Sequence, residues 1–278
     1  MKKFLKAILG AFLATTFALS AVSCGGDDAK VIKVGASSTP HAEILEQVKD
    51  DLKAKGYTLQ IRVMDDYVTP NTALQQGDLD ANYFQHEPYL LNFNAENNTT
   101  LSTVAKIHYE PFGVYGKGVT QDEFDTVKTG RQIYIPSDGS NCTRALFVLQ
   151  QEGYITLKEG VTAADTLSDQ DIADKKGNTI TLMEAATLPA QLNNAGAGTI
   201  AVINGNYALA AGLNIADALA VESAEGEAAQ LYANIIAVKK GNENSEKIKA
   251  LVDALKTKKV YDYINDTYNG AVMPVFSL

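Results

Sequence analysis

The stretch that decides the fold is Asp80-Ala81-Asn82-Tyr83-Phe84-Gln85-His86-Glu87-Pro88-Tyr89-Leu90, which we expect to form a short strand that turns into a helix. Pro88 stands where the helix would begin, because proline is favoured in the first helical turn. Asn82 and Glu87 interrupt an otherwise apolar run, and three aromatic rings and a histidine surround its end. Because open α/β sheets bind ligands at the carboxyl ends of their strands, the sequence predicts a binding patch here.

The chain on both sides of this stretch alternates strands with helices. Residues 31–35 and 58–64 are predicted strands, the second with an apolar residue at every other position. Between them, apolar residues recur on one helical face up to Gly56. The strand–helix order repeats later in the chain, with strands predicted at 131–136, 180–183 and 199–203. Such alternation predicts sheets of mostly parallel strands with flanking helices.

Two crossings divide the chain into two lobes. The extended run 101–116 is broken by Pro111 and Gly113, which indicates a passage between domains. An apolar strand at 232–238 can bring the chain back. We therefore predict an α/β fold in which lobe I comprises residues 31–111 and 235–278, and lobe II comprises residues 112–234. Two lobes joined by two extended crossings close on small molecules by hinge motion.

The N-terminus has the pattern of a secretory signal. A basic segment is followed by an apolar core at 7–22 that is short for a membrane-spanning helix, and small residues precede Cys24. This arrangement resembles the bacterial lipobox, in which the cysteine is acylated after cleavage. We predict a signal peptide at 1–23, lipidation of Cys24, a lipidated tether at 24–30 and anchoring to a membrane of the bacterial cell envelope through acyl chains. The alternative is an ordinary cleaved signal with an incidental cysteine.

The charge balance excludes nucleic acid as a partner. The chain has 24 basic and 33 acidic residues, and without the three lysines of the signal the net charge falls from −9 to −12. An acidic chain of this kind offers no basic footprint for nucleic acid or for anionic lipid headgroups. With Cys24 lipidated, Cys142 is the single remaining thiol, so no intramolecular disulfide is expected.

Arg144 is a candidate partner for a ligand carboxylate. Asn141 is the predicted N-cap of a helix, which puts Arg144 in the first helical turn. A cation is unfavourable at this positive helix end unless an anion is present, and a carboxylate could bind the guanidinium and the free N–H groups together. The alternatives are a solvated arginine or one paired with Asp138.

The aromatic residues of the opening stretch and two asparagines are further candidates. Each ring could belong to the core, but polar neighbours of Phe84 indicate that part of the segment faces a polar cavity. Asn204 and Asn234 stand at the edges of apolar strands, where asparagine is uncommon, and could either cap a turn or contact a ligand.

Metal binding and catalysis have weaker signals. His41, His86 and His108 show no short paired spacing, so we predict no metal ligands and no cofactor. Cys142 at a helix start, or His86 as a base, could serve a cell-surface enzyme, but no nucleophile elbow, P-loop or dinucleotide fingerprint occurs. We therefore predict that the protein is not an enzyme. A surface adhesin is a third class.

Several stretches together resemble the methionine-binding lipoprotein (NlpA/MetQ) family of ABC-importer solute-binding proteins. The most specific is Phe84-Gln85-His86, and the others are 66–71, 77–82, 87–90, 108–115, 136–144 and 201–204. The resemblance implies a two-lobed periplasmic-binding-protein fold (type II-like) that holds L-methionine in an interlobe cleft. It also implies delivery of the ligand to a membrane permease with its ATPase. The alternative ligands are another amino acid or a glycine–methionine dipeptide.

The resemblance also implies roles for individual residues. Arg144 would bind the ligand carboxylate, with Asn141 beside it, and Asn204 and Asn234 would hold the amino and carboxylate groups. An apolar slot for the thioether would be formed by the ring-bearing residues Tyr67, Phe84, His86 and Tyr89, where sulfur contacts with ring edges are favourable.

Overall fold

The computed structural model describes residues 28–223 and 227–278. The predicted signal peptide, Cys24 and most of the tether lie outside the described residues. The strands, in chain order, are β1 Val31–Ala36, β2 Thr58–Val63, β3 Ala81–His86, β4 Leu101–Tyr109, β5 Gly113–Gly116, β6 Gln132–Pro136, β7 Thr156–Leu157, β8 Ile172–Asp174, β9 Thr179–Met183, β10 Ile200–Ile203, β11 Ala220–Val221, β12 Asn234–Lys239 and β13 Met273–Pro274. The helices are α1 Glu43–Glu46, α2 Lys49–Ala54, α3 Thr69–Gln76, α4 Glu87–Asn97, α5 Gln121–Thr126, α6 Gly139–Gln151, α7 Leu188–Asn194, α8 Gly205–Ala210, α9 Glu227–Leu231, α10 Glu246–Leu255 and α11 Lys258–Tyr268.

The first sheet has the strand order β13-β4-β12-β3-β1-β2. Strand β1 pairs in parallel with β2 and β3, and β12 lies antiparallel between β3 and β4. Four of the six strands therefore run in one direction, with β12 and β13 reversed. The sheet buries apolar side chains such as Val34 and Ile107 against α2, α10 and α11, which contribute Leu52, Leu251 and Ile264 to the same core. Removal of this apolar surface from water is the main stabilising contribution to the lobe.

The second sheet has the order β11-β5-β10-β6-β9. Strand β6 pairs in parallel with β9 and β10, whereas β5 is antiparallel to β10 and β11. Its core joins Ile133 and Val202 of the sheet to Leu146 of α6, and a separate cluster packs Leu188 of α7 against Ile203. The predicted α/β architecture of two lobes with mostly parallel sheets is confirmed.

Two connections join the sheets. Strand β4 ends in the first sheet at Tyr109 and β5 begins in the second at Gly113; β11 ends in the second at Val221 and β12 begins in the first at Asn234. The second connection was predicted to be extended, but it contains the short helix α9. The sequence of α9 consists of good helix formers, which explains the difference. The predicted lobe bounds stay a prediction.

The opening stretch forms β3 and the start of α4, as predicted. Every residue of β3 is buried, including the amide-bearing Asn82 and Gln85. Their amides bond to Asn71 of α3, with donor–acceptor distances of 2.8 and 2.7 Å to its side-chain oxygen. Buried amides are tolerated because they satisfy one another. Within residues 28–223 and 227–278, no helix combines the length and apolar character needed to cross a membrane.

Candidate functional site

A narrow cavity lies between the two lobes. All eight residues predicted as ligand contacts line it, and five further residues join them. The lining residues are Tyr67, Phe84, Gln85, His86, Tyr89, Glu110, Phe112, Asn141, Arg144, Asn204, Gly205, Asn206 and Asn234. The fold therefore brings residues from both lobes and from the first connection to one place.

One wall of the cavity is aromatic. The ring centroid of Tyr67 lies 5.7 Å from that of Phe84 and 5.5 Å from that of Tyr89. On its other side, Tyr67 packs against Tyr207 of α8 at 4.8 Å. The hydroxyl of Tyr67 also donates to Oδ1 of Asn206, at 2.6 Å, so the aromatic wall is tied to the second lobe.

His86 connects the two lobes as a neutral side chain. It caps α4, because its Nδ1 accepts the backbone N–H of Tyr89 at 3.2 Å. The proton then lies on Nε2, which donates to Oδ1 of Asn141 in α6 at 3.2 Å. Burial, with the positive charge of Arg144, lowers the pKa of His86 to about 3. Both ring nitrogens are thus engaged, which opposes a role as metal ligand or general base.

Helix α6 begins three residues earlier than predicted. Its N-cap is Asp138, whose carboxylate accepts the backbone N–H of Asn141 at 3.0 Å and its side-chain Nδ2 at 2.9 Å. The prediction that Asn141 is the cap is therefore wrong, because the charged Asp138 binds the free N–H groups of the first turn more strongly. Asn141 lies in the first turn and Arg144 in the second.

Asn204 offers an acceptor to the cavity. Its Nδ2 donates to Oδ1 of Asn141 at 3.0 Å. Its own Oδ1 is buried and has no hydrogen-bond partner among the described residues. Because an unpaired buried acceptor is costly, this oxygen favours a ligand that carries N–H or O–H groups.

Arg144 is buried and paired, so both alternatives drawn from the sequence are wrong. Its Nε donates to both carboxylate oxygens of Glu222, at 2.8 and 2.9 Å, and Nη2 donates to the backbone oxygen of Glu110 at 2.6 Å. The guanidinium also lies 4.0 Å from the ring centroid of Phe112 and 4.7 Å from that of Tyr232. Burial lowers the pKa of Arg144, but the charge and hydrogen bonds of Glu222 outweigh it and keep the pKa above its ordinary value.

A second buried charge, Glu110, lines the same cavity. Its Oε1 accepts from Nε2 of His108 at 2.7 Å and lies 3.3 Å from Nε2 of His41. His108 also bonds through Nδ1 to the hydroxyl of Tyr83, and His41 bonds to Oδ1 of Asn234 at 2.9 Å. Burial raises the pKa of Glu110 and lowers those of His41 and His108, to about 4 and about 3.

Sequence reasoning missed the convergence of these groups. The ligating atoms of His41, His108 and Glu110 lie within 4.8 Å of one another, although the histidines are far apart in the chain. The one available signal was the position of Glu110 in the first connection. Nε2 of His108 is already bonded to Glu110 and Nε2 of His41 to Asn234, and the absence of a metal stays a prediction.

Cys142 lies in the first turn of α6 and is buried. Burial raises the pKa of its thiol to about 12, and the carboxylates of Asp138, Asp169 and Asp171 contribute. The stabilisation of a thiolate by the helix terminus is therefore outweighed, and the thiol is unsuited to act as a nucleophile.

We expect Gly205→Ala to destabilise the protein. An added Cβ would lie 2.8 Å from both Cβ and Oε2 of Glu110, which cannot move without disturbing the histidines. The overpacking should lower the unfolding free energy by about 1 to 3 kcal/mol. This loss exceeds the stabilisation expected from the higher helix propensity of alanine relative to glycine. Urea unfolding measures the change. Gly196→Ala, with nothing within 4 Å of its added Cβ, is the matched control. Equal stability of the two variants would contradict the tight contact.

Known proteins match this chain over nearly its whole length. Residues 32–276 match the family model described as NlpA lipoprotein. The methionine-binding lipoprotein MetQ of Bacillus subtilis strain 168 is 40% identical over 277 residues, 97% of this chain and 98% of the relative. The D-methionine-binding lipoprotein MetQ of Escherichia coli strain K12 is 34% identical over 92% of this chain and 93% of its own.

A solved structure agrees with these relatives. The nutrient binding protein from Burkholderia cenocepacia bound to methionine is 34% identical, and the match covers 88% of this chain and 100% of that chain with a TM-score of 0.81. The resemblance carried by the 80–90 stretch and its companions is thereby confirmed, and the chain belongs to the NlpA lipoprotein family.

Proposed function

We propose that this protein is a lipid-anchored solute-binding protein that captures L-methionine in the interlobe cavity and delivers it to an ABC importer. The observation that carries the proposal is the composition of one cavity: an aromatic wall, a buried guanidinium and an unpartnered buried acceptor face it together. The names of the relatives, a methionine-binding and a D-methionine-binding lipoprotein, support methionine as the ligand without choosing its L form. These names also support a position in the cell envelope, on a membrane.

The polar groups suit the two charges of an amino acid. The bonds of Arg144 to Glu222 and Glu110 use Nε and Nη2, which leaves Nη1 for the ligand carboxylate, with Asn141 and Asn234 beside it. The unpartnered Oδ1 of Asn204 would accept from the ligand ammonium. The carboxylate of Glu110 lines the same cavity and would attract that cation.

The apolar wall suits a thioether. Tyr67, Phe84 and Tyr89 present ring edges and faces at mutual centroid distances of 5.5 to 6.1 Å, and sulfur near a ring edge is favourable. His86 would complete the slot as a neutral group.

Calorimetric titration of the mature protein tests the proposal. Bound ligand is first removed by unfolding and refolding, and L-methionine, D-methionine, norleucine and glycyl-methionine are then compared. We expect L-methionine to bind more tightly than norleucine by about 0.3 to 1.5 kcal/mol, because norleucine lacks the sulfur. No heat with L-methionine, together with heat from an unrelated solute, would overturn the choice of ligand.

The competing class is a cell-surface enzyme. Saturation without product is the behaviour of a binding protein, and turnover of candidate amides that is lost in Cys142→Ser would instead support an enzyme. The raised pKa of the buried Cys142 thiol and the lowered pKa of His86 both argue against catalysis. Delivery to a permease can be tested separately, by reconstitution with the importer.

A further inference from the structure

Glu222, just after β11 on the second connection, holds the guanidinium of Arg144 from one side. Its carboxylate also accepts the hydroxyl of Tyr109 at 2.7 Å and the backbone N–H of Phe112 at 3.1 Å. Its own backbone N–H donates to the backbone oxygen of Phe112 at 2.9 Å. A surface glutamate would not be held in this way, and the side chain of Glu222 is 11% exposed.

We propose that Glu222 is a positioning residue for ligand binding, which fixes Arg144 so that Nη1 meets the ligand carboxylate. The proposal rests on the proposed function, since it assigns the ligand carboxylate to Arg144. Glu222 is not one of the thirteen residues that line the cavity. It would therefore act on the ligand through Arg144.

Contacts on several sides restrict the orientation of the guanidinium. The ring centroids of Phe112 and Tyr232 lie 4.0 and 4.7 Å from its central carbon. Glu222 binds the edge formed by Nε and Nη2, and the backbone oxygen of Glu110 binds Nη2. An arginine held at one edge presents a fixed donor at the other, so binding need not order a flexible side chain.

Glu222 could in principle compete with the ligand for Arg144, and the geometry argues against this. Tyr109 and Phe112 hold the carboxylate in place independently of the arginine. The edge that Glu222 occupies is also not the one left for the ligand. Loss of the Glu222 charge should therefore weaken carboxylate binding, whereas loss of a competitor would strengthen it.

Glu222 also links the two connections between the lobes. Tyr109 ends β4 and Phe112 precedes β5, so both belong to the first connection, while Glu222 begins the second. Arg144 comes from α6 of the second lobe. The donor that meets the ligand is thus oriented where both connections and α6 meet.

The test compares L-methionine with L-methioninamide, which lacks the carboxylate, in wild type and Glu222→Gln. We expect the Kd for L-methionine to rise about tenfold or more in the variant, because charged hydrogen bonds that orient Arg144 are lost. The Kd for methioninamide should change less than about threefold, so that discrimination between the two ligands falls. Glu246→Gln, at a side chain 82% exposed, is the matched control and should bind both ligands as wild type does.

A second variant guards against a folding defect in Glu222→Gln. Tyr109→Phe removes the hydroxyl that bonds to the Glu222 carboxylate and also reaches Arg144, but it keeps the bonds between Arg144 and Glu222. It should therefore shift the ratio of the two Kd values in the same direction by less. Tighter L-methionine binding in Glu222→Gln, an equal loss for both ligands, or no change would each overturn the inference. A wild-type protein that binds neither ligand would overturn the proposed function as well, which separates the two failures.

Discussion

Arg144→Gln is expected to weaken L-methionine binding by about 1.5 to 3 kcal/mol or more, because the ligand carboxylate loses its charged donor. The same change should lower the unfolding free energy by about 3 to 5 kcal/mol, because it leaves the carboxylate of Glu222 largely buried without its cation. Titration calorimetry measures the first effect and urea unfolding the second.

The double variant Arg144→Gln/Glu222→Gln separates the two effects. It removes both charges, so stability should return toward wild type while L-methionine binding stays weak. Arg62→Gln, at an exposed arginine of β2, is the control for loss of a positive charge. Unchanged affinity in Arg144→Gln would remove this residue from the site, and an unchanged unfolding midpoint would contradict the importance of its pair with Glu222.

The protein should lose stability as the pH falls from about 6.5 to about 4. The chain has three histidines, and all three are buried. Burial lowers the pKa of His41 from 6.5 to about 4 and those of His86 and His108 to about 3. Between these pKa values the unfolded chain binds protons that the folded protein does not. The contribution of the three neutral histidines to the unfolding free energy is therefore full above pH 6.5 and decreases below it.

The expected loss is roughly 2 kcal/mol per histidine by about pH 5, which is large beside a typical total stability of about 5 to 15 kcal/mol. Glu110 has the opposite effect on stability. Because its pKa is raised, the folded protein takes up a proton at a higher pH than the unfolded chain does, and this uptake offsets part of the loss caused by the histidines. Urea unfolding at about pH 7.5, 6 and 5 measures the slope, and His86→Gln should reduce it by the share of one histidine. A stability that is flat over this range would contradict neutral buried histidines.

Local patterns in the sequence were sufficient for most of the strands and helices. The alternation at 58–64 predicts β2, and Pro88 after an apolar run predicts the β3–α4 turn. Such patterns are read within a few residues, because period and burial face belong to a single strand or helix. The resemblance of the 80–90 stretch to a known family then pointed to the eight residues that the fold brings to one cavity.

The cap of α6 shows where local reading failed. Asn141 and Asp138 both suit an N-cap, and the choice between them depends on which side chain reaches the free N–H groups of the folded helix. Because Asp138 caps the helix, the side-chain oxygen of Asn141 can accept hydrogen bonds from His86 and Asn204, two residues from other parts of the chain.

The sequence by itself therefore determined the two α/β lobes, the family and the kinds of side chain at the cavity. Only the tertiary structure decided which of these side chains form hydrogen bonds and ion pairs with each other. Glu222 is 78 residues from Arg144 in the sequence. His41 and Glu110 are in contact although strands β2, β3 and β4 lie between them in the chain. Hydrogen bonds and ion pairs over such separations leave no periodic trace, because they depend on the packing of whole elements and not on the spacing of neighbours.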